Sequence, residues 1–201
     1  MNKLIHNATL VLIAALLSFS LMGCGTNQGQ GAVKLASSHA IFKKYKNVDE
    51  LEQNATLVVR AKFTGNRKVH HWYEDGDIAD TASKSEIRLN KVLKGDYKTG
   101  DILNIYEPGY FAKGDVYASI EGYNLMNEEG EYLLYLKPIK DDDAYMIVGM
   151  FQGKFDMNKK EKAKEHTGKI TIKELKEMEY FGEYADHFND LKEQVHEKHN
   201  N

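Results

Sequence analysis

Between residues 57 and 63, apolar Leu57, Val59, Ala61 and Phe63 alternate with Val58, Arg60 and Lys62. A period of two places the first set on one face of a β-strand. Gly65-Asn66 breaks the run, residues 69–73 continue it, and the acidic stretch 74–83, with no apolar period, reads as a loop. Ile87 and Leu89 share a face of the next strand, and Val92 falls out of phase, as one extra residue in a β-bulge produces. Lys94-Gly95-Asp96 and Thr99-Gly100-Asp101 are turn signals before a return strand over 102–106, which Pro108-Gly109 closes. Residues 110–127 form a longer excursion containing a short strand at 116–120. Further strands follow at 131–137, 145–150 and 151–157, with Asp141-Asp142-Asp143 as a hairpin tip.

Two stretches carry helical periodicity. Asn47-Val48-Asp49-Glu50 has the spacing of a capping box and opens a short helix ending near Asn54. A lysine-rich connection, 158–169, leads to a second box, Thr171-Ile172-Lys173-Glu174. Beyond it Ile172, Leu175, Met178, Phe181, Ala185, Phe188, Leu191 and Val195 recur at steps of three or four, the stripe of a long amphipathic helix, with Gly182 as its point of bending or interruption. The stripe is expected to pack against the strands; a partner-binding face is the other reading. Five or six short strands with helices at their ends predict a mainly β fold with flanking helices, a small closed or nearly closed barrel over 40–157, followed by a linker and C-terminal helix over 158–201.

The N-terminal region has another pattern: basic Lys3, an almost wholly Ala, Leu, Val and Ile run at 8–17, then Leu21-Met22-Gly23-Cys24. The run has the length of an export signal's apolar segment and is short for a membrane span. The last four residues resemble the lipobox of bacterial lipoproteins, Met22 being larger than the residue usual in that slot. The resemblance implies that residues 1–23 are a cleaved signal peptide and that Cys24 becomes the first mature residue, its thiol carrying diacylglycerol and its chains of the palmitate type. Cys24 is the only cysteine, so no internal disulfide competes for it. At ~0.8 kcal/mol per buried CH2, two or three acyl chains hold a protein firmly at a bilayer. Residues 24–39, glycine-rich and polar at their start, read as a tether holding the folded part at the extracytoplasmic face of the cell membrane. Removing the signal leaves 26 basic against 30 acidic residues, a balance that excludes nucleic acid as an expected partner.

Three phrases of the folded part carry a second resemblance: residues 55–62 (ATLVVRAK), 87–95 (IRLNKVLKG) and 130–136 (GEYLLYL). In this order they resemble the OB-fold domain of tissue inhibitors of metalloproteinases and their netrin-like relatives, and also uncharacterised lipoproteins of Gram-positive bacteria. The resemblance covers about half the chain and implies an OB-like β-barrel. Those inhibitors chelate the protease zinc through a free, disulfide-locked N-terminal Cys. Here Cys24 has the lipidation context and no partner Cys, so that chemistry does not transfer.

Catalytic signatures are absent from the sequence: no Gly-x-Ser-x-Gly, no Gly-x-x-x-x-Gly-Lys, no His-Glu-x-x-His. His70-His71 with Glu74, Asp75 and Asp77 comes nearest to a metal pattern. Adjacent strand residues face opposite ways, however, so one His alone could serve. His187, His196 and His199 read as solvated histidines of the C-terminal helix. Asp141-Asp142-Asp143 lacks the glycine and distal Glu of a calcium loop. No enzyme activity, metal or cofactor is therefore expected. The remaining feature is aromatic: Tyr106, Tyr110, Phe111, Tyr117 and Tyr123 crowd the excursion beside Gly109, Gly114 and Gly122. Such residues either fill a barrel rim or meet a partner through Tyr110, Phe111, Tyr117 and Tyr123. The expectation is a membrane-anchored, non-enzymatic binding or assembly module for a protein or cell-wall partner; the alternative, from the family resemblance, is a surface-held protease inhibitor-like protein.

Overall fold

The computed structural model describes residues 31–199. The expected signal peptide over 1–23, Cys24 and the start of the expected tether lie outside the described residues.

The chain begins with β1 (Ala32–Ser38) and α1 (Val48–Asn54), then two long strands, β2 (Leu57–Glu74) and β3 (Asp77–Lys94). There follow β4 (Ile102–Glu107), β5 (Gly109–Ala112), β6 (Val116–Ile120), β7 (Tyr132–Pro138) and β8 (Ala144–Ile147). A 3-10 turn at Met150–Gly153 leads to β9 (Lys154–Asp156) and β10 (Lys169–Thr171), and the chain closes with α2 (Ile172–Glu177) and α3 (Ala185–His199). The fold is mainly β with a C-terminal helix. One sheet has the order β2-β3-β4-β8-β7-β9, and β7 also pairs with β2; the other has the order β10-β1-β6-β5. β4 pairs with β8 in parallel, as β1 does with β6.

Alternation in β2 works as its pattern dictates, with Leu57, Val59, Ala61 and Phe63 buried in a continuous core. The bulge expected near Val92 is a pair of irregularities around it. Val58 opposes Lys94 and Val59 opposes Val92, while Arg60 opposes Lys91 and Ala61 opposes Leu89, so Leu93 and Asn90 are the extra residues. Asn47 caps α1, its side chain accepting the Glu50 N–H at 2.9 Å. Thr171 and Glu174 form a full reciprocal capping box on α2.

Two sequence expectations need correction, and a third holds in part. The stretch 74–83 is not a loop: β2 and β3 run on as one hairpin arm whose tip is Asp75-Gly76, both at positive φ. Its residues are largely exposed, which removes the apolar period, but the backbone ladder does not depend on that period. The expected tether cannot extend to position 39, because Val33 and Leu35 of β1 are buried between β10 and β6. The C-terminal helix is not continuous: it is interrupted around Gly182, where the sequence placed a bend or break, and forms two helices. Residues 178–184 are non-helical, Tyr180 bridges Tyr123, and the Phe181 N–H donates to the Gly122 carbonyl at 3.1 Å. The stripe is buried regardless, since Leu175, Phe181, Phe188, Leu191 and Val195 all enter the core, which settles it as a packing face. Phe188 stacks at 5.5 Å on Phe155 and at 5.1 Å on Tyr180.

Candidate functional site

The excursion after β4 divides its aromatic residues by strand alternation. In the β5–β6 hairpin Phe111 opposes Tyr117 and Tyr110 opposes Ala118, so the two pairs face opposite sides. Tyr117 is fully buried: its hydroxyl donates to Asn124 Oδ1 at 2.9 Å and accepts the Leu125 N–H at 2.7 Å. Tyr123 is also fully buried, donating to Glu107 Oε1 at 2.8 Å. Burial raises the pKa of both phenols, keeping them neutral donors. These two residues, expected as partner contacts, are core residues. Phe111 is 48% exposed, its ring 4.9 Å from Tyr117, and covers that core from outside.

Tyr110, on the other face, lines a crevice of about 420 Å³. One wall is the second sheet, with Ser37 and Ser38 of β1 and Ser119 of β6; the other is the hairpin arm, with Ile78, Asp80 and Thr81. Pro108 and Gly109 form part of the lining where the chain passes from one sheet to the other. The arm is held by its inner face, where Trp72 packs at 4.8 Å and His70 at 5.2 Å from the Tyr106 ring. His71 points the other way, its Nδ1 2.8 Å from Thr81 Oγ1. The two histidines therefore face apart, as alternation requires, and each has a partner. Tyr73 and Ile78, 64% and 55% exposed, present apolar surface near the arm's tip.

Glu107, next to Pro108 in the chain, centres a charged network. Glu107, wholly buried, receives hydrogen bonds from Arg67, Ser85, Tyr123 and the Met126 N–H. Arg67 is 2.7 Å from it and lies over the Phe63 ring. A carboxylate with four donors, one of them a guanidinium, is fully satisfied, which makes this cluster a clamp between arm and excursion. A second buried pair, Lys192 and Glu179 at 2.6 Å, ties α3 to the segment before it. Burial pushes Glu179 up and neighbouring Lys154 down; Lys154 sits over the Tyr123 and Tyr132 rings.

At the end of β1 and β6 nearest the crevice, a further group assembles. Glu121 adopts a left-handed backbone (φ 52°), rare for a residue other than glycine, and Gly122 follows at φ 70°. A Cβ on Gly122 would lie 2.2 Å from Gly182, so these backbones touch, bringing Glu183 beside Glu121. The Glu121 N–H donates to the Ser38 carbonyl at 2.9 Å, which sets His39 against the same turn. His39 Nδ1 lies 3.4 Å from Glu121 Oε2 and 3.8 Å from Glu183 Oε1. Sequence reasoning missed this trio because its members come from the tether, the excursion and the presumed long helix. The adjacency of Glu121-Gly122 to a strand end was the only local signal. Compared with known proteins, the chain matches no family model and no curated protein.

Proposed function

We propose that the protein is a lipoprotein anchored through acylated Cys24 at the extracytoplasmic face of the cell membrane. On this reading its folded part is an OB-like β-barrel acting as a non-enzymatic binding or assembly module for a protein or cell-wall partner. The observation that carries the binding role is the crevice between the β5–β6 hairpin and the β2–β3 arm. Its lining mixes hydroxyls, a carboxylate, a tyrosine and an aliphatic side chain, the composition of a site that orients a partner by hydrogen bonds while removing apolar surface from water.

Support for the barrel reading comes from the pairings. β2, β3, β4, β8 and β7 each pair with two others of the set, and the cycle returns to β2. In OB-folds ligands meet the face of the second and third strands and the loop joining the first two. The corresponding elements are β3, β4 and the arm, and of these the arm lines the crevice with Ile78, Asp80 and Thr81. Support for the anchor is the lipobox-like Leu21-Met22-Gly23-Cys24. Among the described residues no helix is long and apolar enough to cross a membrane.

Binding of secreted proteins and of wall fragments by the full chain and by Tyr110→Ala tests the crevice. The variant should keep its fold, since Tyr110 is only half-buried on the crevice face, and lose at least about tenfold in affinity for whichever partner binds, as a central aromatic contact does. Unchanged binding by a folded Tyr110→Ala refutes the crevice. Fatty-acid labelling of the wild type and Cys24→Ser tests the anchor separately, and label persisting in the variant ends that part of the reading.

A further inference from the structure

The cavity beside the trio encloses about 270 Å³ and is lined by His39, Glu121, Glu183, Glu165 and His166. Three ligand atoms, His39 Nδ1, Glu121 Oε2 and Glu183 Oε1, lie within 4.8 Å of one another. Glu121 is the fixed member: its side chain is 2% exposed, and Oε1 accepts the Ala40 N–H at 2.5 Å. Its Oε2 is buried and accepts no hydrogen bond. The nearest group to this sheltered carboxylate oxygen is His39 Nδ1 at 3.4 Å, so without a hydrogen bond its desolvation is only partly offset. In the same cavity wall, His166 Nε2 is also buried without a hydrogen-bond partner, while its backbone N–H is spent on the Phe181 carbonyl. Two buried polar atoms that make no hydrogen bond thus line one acidic cavity.

We propose that this cavity is a binding site for a first-row divalent cation of the zinc class, held by His39 Nδ1, Glu121 Oε2 and Glu183 Oε1. An imidazole joined to carboxylates is a mixed nitrogen and oxygen set, which favours zinc-like ions over magnesium or calcium, whose sites are built from oxygen alone. Zn–N and Zn–O bonds of about 2.0–2.2 Å put tetrahedral ligands roughly 3.3–3.5 Å apart. The His39–Glu121 separation already has that value, and the His39–Glu183 separation of 3.8 Å needs a small side-chain movement. Both partners are exposed, at 76% and 48%, and Glu183 makes the movement by giving up its hydrogen bond with Tyr184. The turn supplies the rigidity: left-handed Glu121, locked by the Gly122–Gly182 contact, aims Oε2 at the other two. Three protein ligands leave a coordination position open to the cavity.

The site adjoins the crevice through Ser37 but shares no ligand residue with it, and the test keeps the two apart. The full chain, stripped of metal with a chelator, is titrated with Zn2+ by calorimetry, with Mg2+ and Ca2+ in parallel. One Zn2+ per chain should bind, in preference to the other two ions. His39→Ala and Glu121→Gln should each weaken binding by at least about tenfold. Cys24→Ser and Tyr110→Ala should leave it unchanged, which excludes the thiol and the crevice as the ligand source. His39→Ala is the deciding variant because its exposed side chain is not needed for folding, whereas Glu121 also holds the Ala40 N–H. Absence of Zn2+ binding, equal binding of Mg2+, or full binding by folded His39→Ala overturns the proposal.

Discussion

Single residues decide how the excursion is held, and Glu107 is the clearest case. Its carboxylate is buried with four donors, so the removal of one should cost the unmade hydrogen bond, and the removal of its cation should strand a buried charge. Tyr123→Phe is expected to destabilise the protein by about 1–2 kcal/mol and Arg67→Met by about 3–5 kcal/mol in denaturant unfolding. Equal small effects would show that water reaches Glu107. A second residue-scale prediction concerns acid. Burial, with Lys44 second, holds His187 below the ordinary histidine range, and burial does the same to His199. The unfolded chain takes up these protons at about pH 6.5 and the folded chain only below it, so their contribution to stability is full above about 6.5 and is lost as pH falls. The melting temperature should drop between about pH 7.5 and 5.5, and His187→Asn, which retains a donor for Gln152 Oε1, should make the drop smaller. An identical drop in the variant would assign the acid response to other groups.

At the scale of elements, the capped starts and alternating strands were legible because their signals are local. Asn47 and Thr171 cap where they should, and Leu57 to Phe63 bury the face their period selects. Thr171→Ala should cost about 1 kcal/mol, measured by unfolding. The failures have one physical cause, which is that tertiary pairing overrode local pattern. The arm is a ribbon without an apolar face, β1 has too few apolar residues to announce itself, and the gap between α2 and α3 buries the same stripe a continuous helix would. The acid and histidine trio was illegible for a related reason: its geometry is made by two glycines in contact, Gly122 and Gly182, sixty residues apart in the chain. Gly122→Ala combines a left-handed backbone with overpacking, so a loss of about 3 kcal/mol or more is expected. A near-neutral result would mean that the two backbones separate easily.

The molecule as a whole is a β-rich body whose crevice opens between two sheets, and the proposed acylation of Cys24 would hold that body at a membrane. Alternation divides the aromatic excursion: Tyr117 and Tyr123 pack the core while Tyr110 faces the crevice. The sheet of β10, β1, β6 and β5 recruits strands from the presumed tether, the excursion and the lysine-rich linker, so the segments drawn as separate along the chain fold together. The most direct test of a partner-binding crevice is photo-crosslinking in intact cells, with a photoreactive phenylalanine analogue at position 110 and, as control, at exposed position 62. The account predicts a recurrent adduct from position 110, formed outside the membrane and absent from position 62. No adduct above the control, or the same adduct from both positions, would contradict it.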